Sequence, residues 1–157
     1  MLSLVLTDTI SDIILTKNNS EILELKKRYK AHFKQDLEEL IESRTFTNFK
    51  KILKTALNTN RSEEPANYKM AAYQVSSLRD KNRETFYKIL SFESFAQISV
   101  IADLYKNQTG QYLHDIIKNE LFSSWWWSNE RRALLTICKE IQKIFNTEKK
   151  TNYFCIF

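Results

Sequence analysis

The sequence predicts an all-α protein, and three observations support that class. The 157 residues include one glycine and one proline, so the turn residues that sheets need at short intervals are almost absent. Apolar residues make up 43% of the chain, which is enough for the core of a domain of this length. Apolar positions also recur at helical spacing along most of the sequence. Helices joined by short polar loops are therefore expected.

An internal repeat organises the chain. A shift of 76 positions places identical residues on one another: Ile13 on Ile89, Ile22 on Ile98, Tyr29 on Tyr105, Lys30 on Lys106, Gln35 on Gln111, Leu37 on Leu113 and Ile41 on Ile117. A single offset that produces so many coincidences at helical spacing indicates two copies of one structural unit.

Three apolar stripes predict the helices of the first unit. The stripes are Ile22, Leu25, Tyr29 and Phe33; then Leu37, Leu40 and Ile41; then Phe49, Ile52, Leu53, Ala56 and Leu57. Thr7 and Asp8 before Ile10, and Ser20 before Glu21, are the expected helix starts. Residues 58–65 form a polar linker, and residues 66–78 are expected to add a helix ahead of the second unit.

The second unit repeats these stripes and ends in a further helix. Its stripes are Ile98, Ile101, Ala102 and Tyr105; then Leu113, Ile116 and Ile117; then Leu134, Ile137, Cys138, Ile141 and Phe145. Cys138 is expected to behave as a small buried apolar residue. With Cys155 as the only other cysteine, there is no disulfide framework.

Composition excludes several function classes. The formal charge of +5 and the pI near 9.1 suit an acidic partner such as anionic lipid or nucleic acid, and equally suit an ordinary solvated surface. No signal peptide and no stretch of about 20 apolar residues is present, so a soluble protein in the reducing cytoplasm is expected. His32 and His114 have no neighbouring metal-ligand pattern, and a single glycine excludes glycine-rich phosphate loops. We expect no enzyme activity.

The sequence resembles the annexin family. Residues 13–22, 27–30 and 33–39 look like the second to fourth helices of an annexin repeat, and residues 88–91, 96–98 and 133–137 with Tyr105 are similar to a later repeat. The resemblance implies a right-handed superhelix of five helices per repeat, with four repeats in a usual member.

This resemblance divides the chain into four parts. Residues 1–60 are a repeat without most of its first helix, 61–65 a linker, 66–150 a second repeat, and 151–157 the start of a link to another. The chain is then a shortened form or a piece of a longer protein. The missing helix leaves apolar surface that the N-terminal residues or a second copy would cover.

Annexin resemblance also implies calcium-mediated binding to anionic phospholipid. A Gly-x-Gly-Thr turn supplies carbonyl oxygens, and a carboxylate about forty residues later completes the shell. The first turn, expected at residues 5–8, has no glycine, and Arg44 occupies the carboxylate position. The second turn, residues 78–83, lacks glycine and contains Lys81 and Arg83, but Glu120 keeps the acidic position. Glu120 is the single weak candidate metal ligand, and no cofactor is expected.

A cluster of three tryptophans distinguishes the second unit. Residues 121–128 carry about five extra residues, including Trp125, Trp126 and Trp127, in the loop that meets the membrane in annexins. Three successive residues cannot all face one core, and an indole ring favours the membrane–water interface. Alternatively, two of them pack against the helix ends, or the cluster covers a surface where another repeat would dock.

Basic residues add to this expectation. Arg44, Lys81 and Arg83 are the expected lipid contacts beside the tryptophans. Residues 44–61 contain five basic and no acidic side chains, and those outside the loop are expected on a solvated helix surface.

These features favour a peripheral membrane-surface protein that binds anionic phospholipid with weak or absent calcium dependence. The alternative is a protein-interaction or self-association module that never contacts lipid. A nucleic-acid binder is disfavoured, because no helix clusters arginines at the spacing that reads bases.

Overall fold

The computed structural model describes residues 2–122, 124 and 128–154, and side chains within residues 9–122, 124 and 128–147. All regular elements in these ranges are helices, which confirms the all-α class. They are α1 Leu2–Leu15, α2 Asn19–Phe33, α3 Leu37–Arg44, α4 Thr47–Leu57, α5 Tyr68–Leu78, α6 Arg83–Phe92, α7 Phe95–Thr109, α8 Leu113–Ile116 and α9 Ser128–Phe154. One π-helical turn, Ile117–Leu121, continues α8.

Both ends of α2 recur in α7 at the 76-residue offset. The Asn18 side chain accepts a hydrogen bond from the Glu21 N–H at 2.9 Å, and 76 positions later Ser94 Oγ accepts one from the Gln97 N–H at 3.1 Å. Each helix ends at a residue in the left-handed conformation, Lys34 with φ 57° and Gly110 with φ 75°. The repeat therefore extends to the capping residues that start and stop the helix.

Three of the expected boundaries were wrong. Residues 5–8 lie inside α1 and form neither a turn nor a helix start, because no glycine or proline interrupts the run. The cap of α2 is Asn18, two residues before Ser20; it forms a capping box in which the Glu21 carboxylate accepts from the Asn18 N–H at 2.9 Å. Asn67 caps α5 through the Met70 N–H, so that helix begins at Tyr68.

One hydrophobic core runs through both units. Helix α9, from the second unit, packs against α1 and α4 of the first as well as against α6, α7 and α8. Its Leu134 and Ile137 are fully buried in the same cluster as Ile14 of α1 and Leu53 of α4. The two units therefore bury their apolar faces against each other. Neighbouring repeats usually share a core in this way.

The connection between the units is held by Arg61, which we had expected on a solvated surface. Its side chain is only 6% exposed. The guanidinium lies 4.6 Å from the Phe95 ring centroid and donates to the Glu93 carbonyl oxygen at 2.8 Å. Burial lowers the pKa of Arg61 to about 10, so the side chain stays charged at neutral pH. The planar cation stacks on the ring and fastens the linker to the start of α7.

Candidate functional site

Three loops meet at one end of the molecule. Thr47 Oγ1, at the start of α4, donates to Glu130 Oε1 in the first turn of α9 at 2.8 Å. Arg83 Nε, at the start of α6, donates to the Leu121 carbonyl oxygen at 2.7 Å. A third bond, from Arg131 next to Glu130 to the Phe122 carbonyl oxygen at 3.0 Å, links these two contacts. The three bonds together connect residues 44–47, 79–83 and 120–122, and we call this surface the loop end.

An ion pair occupies the centre of the loop end. The Lys81 ammonium contacts Glu120 Oε2, and the Gln111 side-chain amide lies 3.5 Å from Glu120 Oε1. Lys81 is in the left-handed backbone conformation, with φ 52°. The hydrogen bond to Glu120 raises the pKa of Lys81 above its ordinary value. At neutral pH the Lys81 ammonium is therefore charged, and the Glu120 carboxylate already has a cation beside it.

Arg83 anchors the chain where it leaves the π-helical turn. Besides its bond to Leu121, its guanidinium carbon lies 5.7 Å from the centroid of the Phe122 ring. Phe122 is fully buried and packs on Tyr87 with centroids 5.6 Å apart. Arg131 donates to the Phe122 carbonyl oxygen at 3.0 Å. The entry to segment 123–127 is therefore fixed by two arginines and a buried ring.

A buried carboxylate stabilises the other side of the loop end. Glu130 is 3% exposed and accepts the hydrogen bond from Thr47. Burial, followed by the charge of Glu130, raises the pKa of Tyr87 to about 12. Thr47 has a φ of 58°, a conformation that β-branched residues rarely adopt. The bond to Glu130 helps hold it there.

Comparison with known proteins identifies the fold and indicates the family. The family model described as Annexin matches residues 6–56. Annexin A3 of Rattus norvegicus is 28% identical over 122 residues, which are 73% of this chain and 38% of that protein. A solved structure of annexin III superposes with a TM-score of 0.74 and 26% identity, and covers 86% of this chain and 43% of that one. These matches in sequence and in fold support membership of the annexin family.

Further annexins match over a similar region. Annexin A7 of Homo sapiens is 30% identical over 117 residues, which are 69% of this chain and 24% of that protein. The structure of chicken annexin V has a TM-score of 0.73 at 21% identity, covering 92% of this chain and 46% of that one. This chain thus spans less than half the length of the annexins it matches.

The Glu120 carboxylate at the loop end is already paired, which bears on the calcium site that the annexin resemblance implies. Calcium takes about six to eight oxygen ligands, whereas the Glu120 oxygens are engaged by Lys81 and Gln111. Lys81 contacts Glu120, and Arg83 contacts the Leu121 carbonyl oxygen, so two cations lie beside residues 120–121. Within the described residues, three or more acidic, histidine or cysteine side chains do not converge at any point.

In the first unit, Arg44 occupies the position equivalent to Glu120, and the carboxylate two residues before it is also paired with lysines. The Glu42 carboxylate is shared by Lys50 and Lys54, each with Nζ 3.0 Å from one of its oxygens. Hydrogen bonds from these two lysines lower the pKa of Glu42. Arg44, which stands where the family has a carboxylate, is exposed at the end of α3. The carboxylates of Glu42 and Glu120 are therefore each paired with a lysine of the chain itself.

Phe46 belongs to the loop end and was missed in the sequence. It is 70% exposed, and Lys50 Nζ lies 5.7 Å from its ring centroid. At the 76-residue offset it matches Phe122, which is fully buried. The shared phenylalanine was a visible signal of the repeat, but it could not show that one copy faces solvent.

The structure brings Lys81 and Arg83 into contact with Glu120 and Leu121, and it places Arg44 at the exposed end of α3. Trp125, Trp126 and Trp127 lie outside the described residues, so their role rests on the sequence. Over the part of the chain that the structure describes, helices are too short or too polar to cross a membrane.

Proposed function

We propose that this protein binds the surface of anionic phospholipid membranes through the loop end, with little or no need for calcium. The observation that carries the proposal is the contact between the Lys81 ammonium and Glu120. The Lys81 ammonium lies beside the Glu120 carboxylate, which would otherwise be available to a metal ion. Family membership supplies the membrane partner, and the internal cation supplies the reason why calcium is dispensable.

Lipid headgroups would be attracted by basic side chains at this end. Lys81, Arg44 and Arg83 are exposed there, and each lysine or arginine held near an anionic membrane surface contributes about 1 kcal/mol of attraction. Phe46 adds an exposed apolar ring, which can enter the headgroup region. Trp125, Trp126 and Trp127 would add indole rings suited to the same depth.

Vesicle co-sedimentation in the presence of a calcium chelator tests the location of contact. Phe46→Ala is expected to weaken binding to phosphatidylserine-containing vesicles, because it removes an exposed ring from the loop end. Tyr68→Ala is the matched control, since Tyr68 is also 70% exposed but lies at the opposite end of α5 from the loop. Equal weakening by both variants would contradict contact through the loop end.

A second pair of variants tests the charge contribution. Lys81→Gln should weaken vesicle binding about fivefold, corresponding to about 1 kcal/mol. Lys69→Gln removes the same charge from the far end of α5 and should have a smaller effect. If the two variants bind equally, the loop end is not the contact surface.

Binding of the unsubstituted chain in chelator should shift its indole emission to the blue, and substitution of Trp125, Trp126 and Trp127 together should abolish that binding. Absence of vesicle binding in every condition, together with a stable oligomer in light scattering, would favour the alternative of a protein-interaction module.

A further inference from the structure

A groove between α4 and α6 lies outside the loop end and has a different chemistry. Its volume is about 420 Å³, which falls within the range of small-molecule sites. From α4 and its C-cap it is lined by residues at positions 48, 51, 55 and 58, and from α6 by residues at positions 84, 88 and 91. Both sets follow helical spacing, so the groove is formed by one face of each helix.

The groove has an excess of positive charge. Lys51, Lys54 and Lys88 line it, against the single acidic residue Glu84. Lys54 is paired with Glu42 at 3.0 Å. Lys51 and Lys88 are exposed and have no ion-pair partner within the described part of the chain. Two unpaired ammonium groups on facing helices favour an anion with more than one negative charge.

A buried polar group in the groove lacks a partner. Ser91 is 4% exposed, and its Oγ has no hydrogen-bond partner among the described residues. A buried hydroxyl without a partner is costly, so a polar atom entering the groove would satisfy it. The Asn48, Asn58 and Asn60 side chains also line the groove, and amides at this spacing can donate to phosphate or hydroxyl oxygens.

The remaining lining is apolar. Ile52 and Tyr87 are buried beneath the groove and Phe92 is 47% exposed at its edge. A ligand that satisfied the lysines with a phosphate could place a flat or apolar portion against these side chains.

We propose that the α4–α6 groove binds a small phosphomonoester, with Lys51 and Lys88 neutralising the phosphate and Ile52, Tyr87 and Phe92 contacting its organic portion. The site is independent of the loop end and of the membrane function proposed above. Its ligand is either a free phosphorylated compound or the phosphorylated headgroup of a lipid, and both present the same chemistry.

Isothermal titration with phenyl phosphate, without vesicles, tests the site directly. Phenyl phosphate should bind saturably and more tightly than inorganic phosphate, because only the former has a ring. Lys51→Gln combined with Lys88→Gln should weaken binding at least about tenfold. Lys27→Gln combined with Lys69→Gln removes the same charge from exposed positions elsewhere and should leave it unchanged.

The absence of saturable binding, or equal losses in the two double variants, would overturn the proposal. A vesicle arm distinguishes the sources of the phosphate. Tighter binding to phosphatidylinositol 4-phosphate than to phosphatidylserine at equal surface charge, lost in Lys51→Gln/Lys88→Gln, assigns a lipid headgroup. Saturable binding of phenyl phosphate without that lipid preference assigns a free compound.

Discussion

Residues 34 and 110 occupy equivalent positions at the ends of α2 and α7, and both have positive φ values. One is a lysine and the other is the only glycine in the chain. The left-handed conformation costs a residue with a Cβ atom about 1–2 kcal/mol, whereas glycine adopts it freely. A Cβ atom at position 110 would have no atom within 4 Å, so the cost at this position is conformational.

Opposite stability changes are predicted at these two positions. Gly110→Ala should lower the free energy of unfolding by about 1 kcal/mol, and Lys34→Gly should raise it by about 0.5–1 kcal/mol after allowing for the greater freedom of the unfolded chain. Urea unfolding of both variants measures these changes. Changes of the same sign in the two variants would contradict the left-handed assignment.

Arg61 is the residue whose environment the sequence least revealed. Arg61→Ala should lower the free energy of unfolding by about 2–4 kcal/mol, because it removes a ring contact and a charged hydrogen bond in a buried position. Arg79→Ala, at an exposed arginine bonded to Gln108, should change it by less than about 0.5 kcal/mol. Thermal and urea unfolding of the two variants measure these changes. Equal losses of stability in Arg61→Ala and Arg79→Ala would contradict the burial of Arg61.

Single residues also show what periodicity cannot predict. Phe46 and Phe122 are the same residue at the same repeat position, yet one faces solvent and the other is buried. Burial at Phe122 comes from Arg83 and Tyr87, which are distant in the sequence. The contact between Lys81 and Glu120 could not be predicted for the same reason, because the two residues are distant in the sequence. Each had been named separately as a candidate site residue.

At the level of elements, the sequence predicted the helices better than their boundaries. The stripes of α2, α4, α7 and α9 were visible because buried residues recur every three or four positions. Expected starts near residue 8 and at Ser20 were wrong, because a threonine, serine or aspartate marks a helix start only where the backbone leaves the helix. The offset of 76 holds as far as the π-helical turn; α9 then begins 81 residues after α4.

The capping box of α2 predicts a pH-dependent contribution to stability. The hydrogen bond from the Asn18 N–H, followed by contacts from Lys17, lowers the pKa of Glu21 below its ordinary value of 4.5. A depressed carboxyl pKa stabilises the fold above the unfolded pKa, and this stabilisation is lost as the pH falls through the folded-state pKa. Glu21→Gln should therefore be less stable than the unsubstituted chain at neutral pH, and the difference should shrink below pH 4.5.

Two further variants separate the cap from general helix effects. Asn18→Ala should lower the free energy of unfolding by about 1 kcal/mol at neutral pH. Asn107→Ala, at an exposed position inside α7, should not destabilise, because alanine is the better helix former. A stability difference for Glu21→Gln that is unchanged between pH 7 and pH 3 would contradict the role of the charged cap.

For the whole molecule, composition and apolar spacing predicted the all-α fold, and the resemblance of several sequence segments indicated the annexin family. The common core was not predicted. Helix α9 belongs to the second unit by sequence but packs on α1 and α4 of the first. Long-range packing of this kind leaves no local signature. The proposed domain division at residues 61–65 remains a prediction about the sequence, while the buried Arg61 makes that segment part of the packed structure.

Calcium dependence of vesicle binding is the most direct test of the central claim, that a lysine of the chain makes calcium dispensable at Glu120. Co-sedimentation with phosphatidylserine-containing vesicles should give the same bound fraction in millimolar calcium and in chelator. Lys81→Gly, which frees the Glu120 carboxylate and suits the positive φ, should bind less in chelator and regain binding when calcium is added. Binding by the unsubstituted chain only in calcium would contradict the claim, because the metal would then displace Lys81 and complete the site.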